Sequence, residues 1–196
     1  MSPIRLIAGA ALAGLLVCAQ ARAEDFSLDD VTMSAPLGAY RAKRIEVSGS
    51  PLTREAAQKL LSDATPGSGA DKFAQLDAAR IFIPELTSQS QAQDYEQTAV
   101  YRDVTLIEVT KGIAKSIDVA GAEVTGRRAG VVNRGHLGAM HAEGVDFPAL
   151  LRIANAARAD ASEAKKVTTR KMTMAGGEIE IDGGGKLTIG AIEGAD

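Results

Sequence analysis

The sequence contains no tryptophan, one cysteine, two histidines and few other rings: three tyrosines and four phenylalanines, 4% aromatic in all with no Trp. Each scarcity argues against a class of function. Sugar-binding sites use aromatic platforms and single-stranded nucleic acid stacks on rings, so this composition speaks against both ligands. Cys18 lies in the N-terminal apolar run, so the chain that remains after removal of that run has neither disulfide nor thiol chemistry. No Gly-x-Ser-x-Gly elbow or Gly-Lys-Ser/Thr phosphate loop occurs, which speaks against the serine hydrolases and nucleotide-hydrolysing enzymes built on them. The acidic opening Glu24-Asp25 and Asp29-Asp30 lacks the alternating carboxylates, central Gly and terminal Glu of a calcium loop. Catalytic and cofactor-binding residues are therefore not assigned, and no cofactor is expected.

Long apolar runs are also missing. The longest, Leu6 to Ala19, has fourteen residues, short of the roughly 20 that a membrane helix needs. With Arg5 before it and Ala21-Arg22-Ala23 after it, it has the form of a secretory leader cleaved between Ala23 and Glu24. Cleavage takes Arg5 and Arg22 from the 22 basic residues and none of the 25 acidic ones, so the net charge moves from −3 to −5. An acidic product lacks the clustered positive charge that phosphate backbones attract, so nucleic acid is not an expected partner. The expected product has no stable membrane span and is periplasmic, with secretion as the alternative.

What is present is alternation. Ile45-Glu46-Val47 and Ile117-Asp118-Val119 put apolar and acidic side chains on opposite faces of short strands, and the following Gly49 and Gly121 are expected to end those strands. The surrounding segments AKRIEVSG and AKSIDVAG lie seventy-two positions apart, and Asp30-Val31-Thr32 repeats as Asp103-Val104-Thr105 seventy-three apart, which raises a degenerate repeat of 30–49 in 103–121. Met140–Gly144 and Ile179–Gly183 carry the same pentad. Further strands are expected at Val31–Ser34, Ala39–Val47, Arg80–Leu86, Val100–Val109, Ile113–Val119, Gly138–Glu143, Thr168–Met174, Glu178–Ile181 and Lys186–Ile192. Pro84 places Arg80–Leu86 at a sheet edge, and the change of parity after Leu106 predicts a bulge near it. Helical spacing follows Thr53, an N-cap, and continues after the Thr65–Gly69 link with a short helix carrying Phe73 and Leu76. A third helix begins near Pro148, with Leu150, Leu151, Ala154 and Ala157 on one stripe. The fold expected is β-rich α+β, an antiparallel meandering sheet with about three short helices packed on one face or end, in a single domain over residues 24–196.

His136, His141 and Glu143 are the only metal-ligand candidates, and weak ones, because a metal needs three or four convergent donors. His141 and Glu143 share a strand face; His136, five positions from His141, falls on the other face unless the chain bends at Gly138. The reading that results is a non-catalytic envelope binding module whose partner is another envelope protein or an apolar ligand. Its alternatives are a periplasmic lipid carrier and a carboxylate-based hydrolase of envelope material. Oligomeric state is not legible from the sequence.

Overall fold

The computed structural model describes residues 23–35, 38–61, 69–92, 94–155 and 167–195. The leader, the Thr65–Ser68 part of the link and the continuation of the third helix through Ala157 lie outside the described residues. The elements run β1 (Glu24–Ala35), β2 (Gly38–Ser50), α1 (Arg54–Leu61), α2 (Gly69–Phe73), β3 (Ala78–Ala92), β4 (Tyr95–Thr110), β5 (Ile113–Val119), β6 (Gly121–Arg128), β7 (Val131–Leu137), β8 (Met140–Asp146), α3 (Phe147–Asn155), β9 (Lys171–Met174), β10 (Gly177–Ile181), β11 (Gly185–Ile189) and β12 (Ile192–Ala195). The architecture is an open antiparallel sheet with three short helices. No described helix is long and apolar enough to cross a membrane.

The 12 strands resolve into eight ribbons. β5 and β6 pair with β4 in one unbroken register, from Thr110↔Ile113 to Tyr95↔Arg128, with only Ala120 between them. β7 and β8 pair along both in turn, as do β9 with β10 and β11 with β12. The sheet is therefore a simple up-and-down meander whose last four ribbons are each split into two strands at one height. That height falls at Asp29-Asp30, Lys43-Arg44, Pro84-Glu85, Arg102-Asp103, Ala120-Gly121, Gly138-Ala139, Ala175-Gly176 and Gly190-Ala191. We call it the upper crease.

Each ribbon carries one extra residue at the crease. On β4 the inward side chains are Ala99, Tyr101, Val104, Leu106 and Val109, and on β5–β6 they are Ala114, Ile117, Val119, Ala122 and Val124. Steps of two alternate with steps of three. An isolated extra residue would turn the rest of a strand inside out. Because neighbouring ribbons insert theirs at the same height, the register survives and the apolar set stays on one face. A lower crease does the same at Gly49, Glu108 and Gly144, all left-handed, with φ of 64°, 47° and 63°. At the upper crease Asp30, Asp103 and Gly176 have positive φ, of 52°, 49° and 98°.

These creases correct three sequence expectations. Gly49 and Gly121 do not end strands: Gly49 lies inside β2, and Gly121 continues the ribbon of β5 into β6. Arg80–Leu86 is no edge, because β3 sits between β2 and β4; Pro84 falls at the crease, between the paired residues Ile83 and Glu85. The parity change on β4 comes from two breaks, at Asp103 and Glu108, that flank Leu106. The repeated segments Ala42–Gly49 and Ala114–Gly121 each contain the stretch from one crease to the other.

The core lies between the inner face and the helices. Leu28, Val31, Ile45, Val47, Ile81, Val104, Leu106 and Val109 pack with Ala57 and Leu61 of α1 and with Leu76, which lies beyond the end of α2 at Phe73 and not on the helix expected to carry it. Thr53 caps α1, its hydroxyl accepting the Ala56 N–H at 3.2 Å, and the Asp146 carboxylate accepts the Ala149 N–H at 2.8 Å to start α3. Phe73 of α2 meets Phe147 of α3 with ring centroids 5.5 Å apart. Buried Ser50 donates to the Asp77 carbonyl at 2.7 Å and joins the end of β2 to the start of β3.

Cover from the helices stops partway. Carried across the ribbons, the row Leu28, Ile45, Ile83, Val104, Val119, Met140, Met174, Ile192 is apolar throughout. Exposure along it climbs from 0% at Leu28 to 44% at Ile192. The row below it ends at Met172, half exposed.

Candidate functional site

Two surfaces follow from this architecture. The first is on the outer, polar face, where the upper crease is floored by small residues. Ala120, Ala139, Ala175 and Ala191 stand in one row, and their missing bulk leaves an open furrow of about 740 Å3. Two backbone bonds across the crease, Gly138 N–H to the Gly176 carbonyl at 2.8 Å and Ala175 N–H to the Ala139 carbonyl at 2.9 Å, keep its floor continuous. Asp118, His141, Thr173 and Glu193, neighbours across four ribbons, form its rim.

His141 is the most interconnected polar group there. Its Nδ1 is 2.7 Å from Asp118 Oδ1 and its Nε2 is 3.4 Å from Glu143 Oε1. The hydrogen bond that His141 donates to the Asp118 carboxylate raises the imidazole pKa above its usual value; partial burial opposes this and Glu143 adds to it. Chemically, two carboxylates beside the ring favour the protonated imidazole over the neutral one relative to a free histidine. All three side chains are at least a third exposed, so the charge is strongly screened.

The structure brings His141 and Glu143 together and leaves His136 apart. The crease at Gly138-Ala139 supplies the bend that could carry both histidines to one face: His136 sits on the outer face of β7, between Glu123 and Glu178. Five rows separate it from His141, roughly 16 Å along the ribbon. One metal ion cannot bridge that span, and among the described residues no group of three His, Cys, Asp or Glu side chains is arranged to hold one. Asp118, the closest partner of His141, carries no site signal in the sequence. Its only mark is membership of an alternating pentad, and the pairing that joins it to His141 depends on a register set by the hairpin between them. Ala23 and Glu24, the expected cleavage pair, lie at the start of the described chain, Glu24 opening β1.

The second surface is the uncovered part of the inner face. Met172, Ile181, Leu187 and Ile192 are exposed there, contiguous with the apolar rows that form the core beneath the helices. It ends at β11 and β12, which pair with β10 and β9 on one side and with no described strand on the other. No family model, curated protein or solved structure matches this chain.

Proposed function

We propose that the chain is a non-catalytic binding module of the cell envelope, periplasmic after removal of its leader, that works through the uncovered half of its inner sheet face. The single observation behind this reading is the burial gradient: apolar rows that begin inside the core continue, side chain by side chain, to Met172 and Ile192 at about half exposure. A contiguous apolar face that reaches solvent marks a contact surface. Its shape favours a protein partner over a lipid cargo, because carriers enclose most of a small ligand's surface and an open sheet face encloses little. The location rests on the leader-like residues 1–23.

The test is photo-crosslinking in cells from position 187, on the inner face, compared with position 188, on the outer face of the same strand. A discrete envelope-protein adduct from 187 alone, lost in Met172→Asp, supports the reading. Equal adducts from both positions, or lipid retained in native mass spectra, refute it in favour of the carrier.

A hydrolytic reading has one observation in its favour, the Asp118–His141–Glu143 arrangement on the furrow rim. If it holds, His141→Gln abolishes turnover of an envelope polymer without changing the fold.

A further inference from the structure

We propose that the free edge formed by β11 and β12 pairs with the same edge of a second copy, antiparallel, about a two-fold axis through the crease at Gly190-Ala191. In that register Ile192 lies opposite Ile189 of the other copy, Glu193 opposite Thr188, Gly194 opposite Leu187 and Ala195 opposite Lys186.

Three observations lead there. The first is that, among the described residues, nothing pairs with this edge or guards it. An exposed edge strand offers a row of free N–H and C=O groups, and stable monomers blunt such edges with charge or proline. The other edge, β1, is blunted with Glu24, Asp25, Asp29 and Asp30, whereas β11 and β12 carry only Lys186 and Glu193. The second is the crease. Any strand added here must insert an extra residue at the height of Gly190-Ala191, or its apolar side chains change face beyond that point. An ordinary extended peptide lacks the insertion. A second copy of the edge, turned about the stated axis, brings its own Gly190-Ala191 to the same height and keeps Ile189, Ile192 and Leu187 on the inner side.

The third observation is charge. β1 of a second copy could also match the crease, in a head-to-tail arrangement. That register puts Glu193 opposite Ser27 of the other copy with Asp25 and Asp29 as its diagonal neighbours, a like-charge cluster. The two-fold register puts Glu193 diagonal to Lys186 of the other copy. Lys186 already meets Glu178 at 2.8 Å and Glu193 meets Lys171 at 3.3 Å. Pairing therefore makes an alternating line, Glu178, Lys186, then Glu193 and Lys171 of the second copy, and symmetry makes it twice. Charge complementarity selects the closed dimer over the open filament, and two-fold dimers are the commonest closed assemblies. The dimer joins two uncovered inner faces into one surface; it concerns the edge, so it stands or falls separately from the reading of that face.

Sedimentation equilibrium of the chain as recovered from expressing cells gives the mass directly. We expect a monomer–dimer equilibrium with a dissociation constant on the order of 10 micromolar, the weak end expected of a small interface. Lys186→Glu alone and Glu193→Lys alone each weaken it by roughly 10-fold or more, since each replaces two attractive diagonals with repulsive ones, and the double swap restores it. Circular dichroism on every variant separates lost pairing from lost folding. Oxidation of an Ile189→Cys/Ile192→Cys chain yields a covalent dimer, because directly opposed residues have Cα atoms about 4.5–5.5 Å apart, and an Ile189→Cys/Gly194→Cys control, out of register, does not. A folded monomer at all concentrations, a dimer indifferent to both reversals, or equal crosslinking of the control overturns the proposal.

Discussion

Gly49→Ala tests whether the lower crease holds the sheet together. Gly49 has φ of +64°, and its N–H donates to Asp25 Oδ1 at 2.8 Å. An added Cβ meets the Ala79 Cβ at 2.7 Å, and both carbons are fixed to backbone. Placing an L-residue in the left-handed region costs about 1–2 kcal/mol, of which roughly 0.4–1 returns through a less flexible unfolded chain. The overlap with Ala79 adds a further ~1–3 kcal/mol of overpacking. The expected loss is about 2–4 kcal/mol in urea unfolding, with the slope unchanged. Gly130→Ala is the control: φ is +85°, but nothing lies within 4 Å of its Cβ, so only the conformational cost remains, about 1 kcal/mol or less. Ala79→Gly in the Gly49→Ala background should recover the overlap part and leave the rest. Equal losses at Gly49 and Gly130, or no recovery through Ala79→Gly, would show that the creases tolerate bulk and that aligned backbone geometry is not what limits the sheet.

The other expectations concern the core and the furrow rim. Leu28→Ala removes a side chain with no exposure from the covered end of the apolar row and should cost about 2–5 kcal/mol in the same assay; Ile192→Ala, at the exposed end, should cost well under 1 kcal/mol. Ser50→Ala leaves the Asp77 carbonyl and the Leu52 N–H without their hydroxyl partner and should lower stability by ~1–3 kcal/mol, read from the urea midpoint. His141 has a folded pKa above its unfolded value of about 6.5. Its contribution is therefore complete below that value and lost as pH rises through the folded pKa. Because the side chain is 36% exposed, the contribution should stay below ~1 kcal/mol and shrink with salt. The stability difference between wild type and His141→Gln should fall between pH 5 and pH 8, and a difference that grows over that interval overturns the assignment.

Alternation made the sheet legible and then hid its length. Ile45-Glu46-Val47 and Ile117-Asp118-Val119 are visible as half-buried strands because period two holds between creases. At Gly49 and Gly121 the period slips by one, and a slip beside glycine reads locally as a turn. Only the neighbouring ribbon, slipping at the same height, shows that the chain runs on. No strand is expected from the sequence at β6 and β7, because Gly121, Gly126, Gly130 and Gly135 break the alternation there, yet Gly126 lies under the Tyr95 ring and Gly135 against Ile179. Cross-strand cover, invisible in a single strand, replaces the missing side chains. The helices were clearer, since Thr53 and the Phe147-Pro148 start are local signals. At the candidate site, Glu143 was readable as a neighbour of His141 because two positions on one strand share a face, whereas Asp118 required the register.

The crease ties the two candidate surfaces to one cause. An extra residue at one height forces the backbone to break its pleat on all eight ribbons; on the last four the outer-face row at that height is Ala120, Ala139, Ala175 and Ala191, whereas on the first four it carries Asp29, Arg44, Pro84 and Asp103. The smallness of the four alanines opens the furrow, while the parity restored at the crease keeps Met174, Ile189 and Ile192 on the inner face. Furrow and apolar face are thus coupled through geometry but separable in chemistry. Enlarging the furrow floor with Ala139→Leu and Ala175→Leu fills the outer cavity and leaves the inner rows in place. Such a variant should keep any contact made through Leu187 and lose any ligand held beside His141. If both are lost together, the floor alanines are needed for the crease itself, and the outer furrow is a by-product of keeping the sheet's apolar side on one face.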